Sequence, residues 1–328
     1  NMNLKAYFIE IIDGVTTLTL KNISKPSPKD DEVLIKVKAA GLNRGGFIVG
    51  GIMHGDREKP AGTEAAGEII STGKDIKRYK IGDKIMGRVL GTSSGSFTEY
   101  ALLKEYQLMD IPDGYSWEEA AAIPVSYLAA YDAVVTYGKL SKGQVMLITA
   151  ISSAIGISAL MIGNILKARI IGTSTSPKKI SQLKNIGMDY GIITPTQQLE
   201  EEIIKYSKNG IDLAINCLGG SVFNASLNTL KYKGIIVNVG YMDGVFETSL
   251  DLRKIHAKRI SVHGISNAFI QKEDIKSTIN GFKRKILPYL GKDNYKPIID
   301  KVFDFDDIDN GRKYMMNNKQ VGKIIIKL

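Results

Sequence analysis

The chain has 328 residues, 44% of them hydrophobic and 24% charged, and carries a net charge of +10. At roughly 100 to 200 residues per domain, this length predicts two domains, each able to bury a core, with the composition of an ordinary soluble globular protein. The single cysteine, Cys217, excludes an intrachain disulfide, a cysteine-rich structural zinc site and a CxxC redox pair.

Four other classes are argued against by the same sequence. No apolar run reaches the roughly 18 residues that a membrane span needs. The N-terminal NMNLKAYFIEIIDG has no basic start followed by an apolar signal core, so a cytoplasmic protein is expected. His54, His256 and His263 show no metal-ligand spacing. The lysines are spread along the chain, many beside Asp or Glu, without the interleaved aromatics of a stacking platform, which argues against nucleic acid. A solvated basic surface that helps draw in an anionic cofactor accounts for the charge.

Up to about residue 120 the chain consists of short strand-like runs (EVLIKVKAAG, AAGEIISTG, GDKIMGRV, GSFTEYALL) separated by Gly-, Pro- and Lys-rich turns, which suits a compact, largely β unit. From about residue 121 the rhythm changes. Strand-like QVMLITA, helix-like SAIGISALMIGNILK, then ARIIGTS, KKISQLKNIG, YGIIT, LEEEIIKYSK, DLAINC, SVFNASLNTLK and GIIVNVG alternate strictly. Such alternation predicts a parallel sheet covered on both faces.

The turn after QVMLITA holds the first functional signal. A dinucleotide-binding turn follows a strand, opens a helix, and uses small residues so that backbone N–H groups approach a pyrophosphate. Here the turn is Ile151, Ser152, Ser153, Ala154, Ile155 and Gly156. The G-x-G-x-x-G pattern is absent: only Gly156 stands as it asks, with Ser153 and Ala154 at the close-approach positions. On these residues alone, a nucleotide turn and a plain strand-to-helix joint fit equally.

About 20 residues on, where an NAD-specific fold places an acid on the ribose, the next strand ends IIGTSTSPKK without one. Thr173, Ser174, Thr175, Ser176, Lys178 and Lys179 offer donors and positive charge suited to a 2′-phosphate, hence NADPH; the same serines also suit a cap for a helix starting near Pro177. Later strands end at Thr194, at Asn216 to Gly220 and at Asn238 to Tyr241, which puts Thr194, Asn216, Leu218, Val239, Gly240 and Tyr241 among the candidate cofactor contacts. Gly219 and Gly220 equally suit a turn into the next helix.

The order of motifs resembles the zinc-independent medium-chain dehydrogenase/reductases, in the quinone oxidoreductase branch. It is carried by VLIKVKAAGLNRGGF, PAGTEAAGEI, YKIGDKIMG, GSFTEYALL, WEEAAAIPVSYLAAYDAV, GQVMLITAISSAIGISA, DLAINCLGG, GIIVNVGYMDG and VGKIIIKL, which together cover nearly the whole chain. A serine-rich turn is itself known in a subgroup that this chain resembles. The resemblance implies an α/β fold in which a GroES-like β domain (1–124 and 267–328) is combined with a doubly wound Rossmann domain (125–266). It also implies an active site in the cleft between them and a homodimer formed through the edge strand around SVHGIS.

Departures from the zinc-dependent relatives bear on the chemistry. Asn43 stands where they have Cys, and Gly62, Thr63 and Glu64 stand where they have Gly-His-Glu, so no metal is expected and Glu64 reads as a structural carboxylate. Without Lewis-acid polarisation of an alcohol, the resemblance implies hydride delivery from NADPH to a small electrophilic acceptor, a quinone or an α,β-unsaturated carbonyl. Asn43 is a candidate for orienting the nicotinamide ribose or the substrate carbonyl, or else for stabilising its Gly-rich turn. Tyr127 and Tyr131, four apart on one helical face, suit either a hydroxyl donor or core packing. Phe47, Met53, Thr63 and Phe269 are candidate pocket residues, while Ala129 replaces a nicotinamide-touching threonine of some relatives. Two other classes stay open: a non-catalytic NADPH-binding sensor and a nucleic-acid-binding protein on the same fold.

Overall fold

The computed structural model describes residues 3–48, 58–291 and 295–328. The chain forms two compact units, Asn1–Val125 with Ala268–Leu328, and Ser126–Asn267.

The first unit begins with β1 (Asn3–Ile12), β2 (Val15–Ser24), β3 (Glu32–Gly41), β4 (Glu58–Pro60), β5 (Glu64–Thr72), β6 (Lys84–Arg88), β7 (Tyr100–Lys104) and β8 (Leu108–Asp110). Helix α1 (Trp117–Ala121) follows in this unit, and α2 (Pro124–Tyr131) begins at its end and continues into the second unit. Ser116 caps α1 reciprocally with Glu119, which satisfies two N–H groups that would otherwise lack partners. A π-helical turn, Asp132–Tyr137, extends α2.

The second unit carries β9 (Val145–Thr149), α3 (Ala154–Ile165), β10 (Arg169–Ser174), α4 (Pro177–Lys184), β11 (Tyr190–Ile193), α5 (Leu199–Tyr206), β12 (Ile211–Asn216), α6 (Gly220–Asn228), β13 (Leu230–Asn238), α7 (Leu252–Lys258) and β14 (Ser261–Gly264). Its six strands are all parallel, in the order β11-β10-β9-β12-β13-β14. That is the doubly wound order, and it reverses direction between β9 and β12. Central strand VMLIT is buried at every position, as a strand covered on both faces must be.

The chain then completes the first unit with α8 (Lys272–Lys285), β15 (Ile299–Asp304), α9 (Ile308–Met316) and β16 (Lys323–Lys327). β16 pairs antiparallel with β3, placing Ile325 opposite Gly41. A seven-stranded sheet results, with β15-β16-β3-β5-β6-β8 as its main path and β7 also on β3; β2-β1-β4 form a second sheet. Its core includes Ile9, Val33, Ile35, Ile69, Ile85, Leu103, Ile324 and Ile326.

Candidate active site

In the second unit the site is built at the carboxyl ends of β9 and β12, flanking the reversal of strand order where ligands bind in this topology. β9 ends at Thr149, and Ala150 then turns the chain with φ +48°, a left-handed conformation costing a residue with a Cβ about 1–3 kcal/mol. Two bonds hold it: Ala150 N–H donates to Thr173 Oγ1 (3.1 Å), and its carbonyl accepts from Ser153 N–H (3.0 Å). Ser153 is the N-cap of α3, its Oγ accepting from Gly156 N–H at 3.1 Å. Gly156 is required by close approach, since a Cβ there would stand 2.5 Å from the Ile151 carbonyl oxygen.

Ser153, Gly156 and Ile157 thus spend their N–H groups inside the turn, and Ile151 donates its own to Thr173 O (3.0 Å) on β10. Those of Ser152, Ala154 and Ile155 have no acceptor among the described residues. Three unpaired donors at a helix N-terminus, beside side chains no larger than serine at 152 to 154, form the cradle that a pyrophosphate needs. The turn fits a dinucleotide.

A buried network sets the strand ends. Thr149 Oγ1 donates to Asn216 Oδ1 (2.8 Å) and accepts from the N–H groups of Cys217 (3.0 Å) and Leu218 (3.2 Å). Asn216 Nδ2 donates to Gly219 O (3.0 Å) and to Asn238 Oδ1 (2.9 Å), and its Oδ1 also accepts from Gly219 N–H. The Asn216 side chain is therefore committed to joining three loops and, as a cofactor contact, is corrected to a positioning group. Thr173 is corrected likewise, being fully buried with its hydroxyl under Ala150.

At the end of β10, Ser174 Oγ accepts from Ser176 N–H (3.2 Å), and Ser176 caps α4 through Lys179 N–H (3.3 Å). Capping is thus real, while Thr175 and Lys178 remain exposed. Thr194 is buried, with its N–H on Ser174 O. Val239 N–H donates to Asn216 O, Leu218 O accepts from Asp243 N–H, and Gly240 packs near Cys217 O, leaving Tyr241 exposed.

In the first unit, Asn43, Thr63 and Glu64 are brought together with Lys323, which sequence reasoning did not single out. Lys323 Nζ bonds both Glu64 Oε1 and Asn43 Oδ1 at 2.5 Å; the lysine is 3% exposed and the glutamate 0%. Asn43 Nδ2 donates to Glu64 Oε1 (2.9 Å) and to Thr63 Oγ1 (3.0 Å). Glu64 Oε2 accepts from Val125 N–H at 2.7 Å, so the carboxylate is structural, as its sequence setting suggests. Gly41 makes room for it: a Cβ there would stand 2.1 Å from Glu64 Oε1. The available signal was the lysine opening the apolar run KIIIK, whose first four residues are all buried.

Other candidates fall outside this cluster. Tyr127 and Tyr131 are both buried, a placement in keeping with core packing. Phe47 is buried and stacks on Phe97 with centroids 5.9 Å apart, so it belongs to the core. Phe269 is 62% exposed, which does not make it a pocket wall in its own unit. Met53 lies outside the described residues. Among the described residues no three His, Cys, Asp or Glu side chains gather as metal ligands. Burial pushes the Cys217 thiol up to about 12, which makes it no nucleophile.

With this geometry in place, the chain can be classed. Residues 29–113 match the alcohol dehydrogenase GroES-like domain and residues 154–283 the zinc-binding dehydrogenase domain, together more than half of the chain. The chain belongs to the medium-chain dehydrogenase/reductase superfamily, whose fold binds a nicotinamide cofactor. It is 28% identical to the synaptic vesicle membrane protein VAT-1 of Tetronarce californica, over 96% of this chain and 83% of that protein. It is also 28% identical to an acryloyl-coenzyme A reductase of Sulfurisphaera tokodaii (94% and 96%) and 26% identical to quinone oxidoreductase-like protein 2 of Bos taurus (95% and 89%). Two solved structures share the fold. The human VAT-1 homolog-like protein superposes with a TM-score of 0.84 at 22% identity (100% and 99% covered), and a mycobacterial protein complexed with NADPH with 0.83 at 18% (99% and 100%).

Proposed function

We propose that this protein is an NADPH-dependent oxidoreductase that delivers hydride to a quinone or an α,β-unsaturated carbonyl without zinc. The observation that carries the reading is the Lys323–Asn43–Thr63–Glu64 cluster. Zinc-dependent relatives have ligands at the Asn43 and Thr63 positions; here a neutral amide and a hydroxyl stand there, beside a resident ammonium group already paired with Glu64. Neither group is a good zinc ligand, and the ammonium repels a dication.

The nicotinamide supplies hydride chemistry when bound; the chain supplies orientation and hydrogen bonds. Ser152, Ala154 and Ile155 are read as pyrophosphate donors through their free N–H groups. Ser174, Thr175 and Lys178 are read as 2′-phosphate contacts, since no acid follows β10 to pair a ribose hydroxyl. Relatives named for acryloyl-coenzyme A and quinone chemistry support the acceptor class. The homodimer is read through β14, which among the described residues pairs only with β13 and has exposed Val262 on it. A cytoplasmic setting is part of the proposal; no helix among the described residues is long and apolar enough to cross a membrane.

The test is NADPH consumption with a panel of quinones, enals, enones and enoyl thioesters, after prolonged chelation. Turnover that survives chelation is expected. No turnover with any acceptor, or turnover lost together with about one zinc per chain, overturns the reading.

A further inference from the structure

The polarity of the Asn43 amide is not arbitrary. An ammonium only donates and an ionised carboxylate only accepts, so the amide end facing Lys323 Nζ must be oxygen and the end facing Glu64 must be nitrogen. Both amide hydrogens are then spent, one on Glu64 Oε1 and one on Thr63 Oγ1. Asn43 has no donor left for a substrate. Thr63 differs: its oxygen accepts from Asn43, and its own hydroxyl hydrogen has no acceptor among the described residues. The side chain is half-buried, and residue 46, beside it, is a glycine; a Cβ there would stand 3.9 Å from Thr63 Oγ1, so no side chain from 46 covers the hydroxyl.

We propose that Thr63 is a catalytic hydrogen-bond donor to the substrate's carbonyl oxygen, with Lys323, Glu64 and Asn43 acting as positioning residues. This rests on the carbonyl-reduction reading above. A bound reduced nicotinamide would supply hydride to the β-carbon of an enone, and the shift of the C=C pair would place negative charge on oxygen. Thr63 Oγ–H stabilises that charge; a proton from water then completes the reduced product, leaving oxidised nicotinamide. Lys323, the Asn43 amide and the Thr63 hydroxyl point their donors in one sense, so each bond polarises the next and strengthens the last donor. A dedicated donor of this kind is worth about 100-fold or more in turnover.

The full chain, loaded with NADP, tests this with Thr63→Val, Thr63→Ser, Lys323→Met and Lys323→Arg. Turnover is followed with trans-2-hexenal, and oxyanion binding separately with 4-nitrophenol titrated across its ionisation, which needs no turnover. Thr63→Val is expected to lose about 100-fold in kcat with NADPH affinity unchanged, and to lose the preference for phenolate over phenol. Thr63→Ser keeps both, and Lys323→Arg recovers what Lys323→Met loses. A Thr63→Val protein with parental kcat or parental phenolate preference overturns the proposal, as does a parent without that preference. A parent that prefers phenolate yet reduces no acceptor sinks the functional reading alone.

Discussion

Thr149 donates its hydroxyl hydrogen to Asn216 Oδ1 at 2.8 Å, a buried bond between the carboxyl ends of neighbouring strands β9 and β12. Through it the loop entering α3 and the loop entering α6 share one anchor. Thr149→Val keeps the shape but leaves Asn216 Oδ1 and the N–H groups of Cys217 and Leu218 short of a partner. Each such group costs about 1–3 kcal/mol. Chemical denaturation is expected to show the second unit destabilised by at least that much, with cofactor affinity lowered in the same variant.

Lys323 and Glu64 are an ion pair out of water, and a pair of this kind is costly to break from one side. Lys323→Met leaves an uncompensated carboxylate and is expected to destabilise the first unit by about 3–5 kcal/mol. Replacing both, Lys323→Met with Glu64→Gln, recovers most of the loss. Urea unfolding, fitted with a separate transition for each unit, checks both values.

The cofactor preference rests on the end of β10. NADPH is expected to bind more tightly than NADH, and Lys178→Ala to narrow the difference by about 1.5–3 kcal/mol, the scale of a hydrogen bond to a charged group. Calorimetric titration of both cofactors decides it; equal affinity in the parent contradicts the assignment.

Ala154→Glu separates a nucleotide turn from a plain joint. Ala154 is the first residue of α3 and only half-buried, and an acid in a first turn is favourable to the helix by about 0.3–1 kcal/mol. Melting temperature without cofactor is therefore expected to hold, while the rise produced by NADPH disappears, because a carboxylate repels the pyrophosphate and fills its place. Unfolding of the variant, with no NADPH shift in the parent, is the contrary result.

Cys217 gives a pH dependence with a definite sign. Burial raises its thiol from 9.0 to about 12, so between these values the folded state holds a proton that the unfolded chain has released. Stability is complete below the lower value and is lost as pH rises through the window. Cys217→Ala is expected to flatten that decline in denaturation curves, and iodoacetamide to leave the native parent unmodified at pH 8, near the reagent's usual working range of about 8–9 for an unperturbed thiol.

Local patterning determined the parts of this protein that depend on nearby residues. The strict alternation from QVMLITA to GIIVNVG defines a parallel sheet because strand and helix periods are set by neighbours in the chain. Ser153 before Ala154 and Ser176 before Pro177 mark helix starts for the same reason, since a cap bonds an N–H three residues on. Tertiary structure alone decided what the polar groups do. Asn43 and Lys323 lie 280 residues apart, and their bond exists only because β16 pairs with β3. The left-handed turn at Ala150 depends on Thr173, a neighbour from the next strand. Asn216 and Thr173 are plausible ligands by type, but their burial and committed hydrogen bonds are set by the surrounding fold, and no spacing along the chain encodes them.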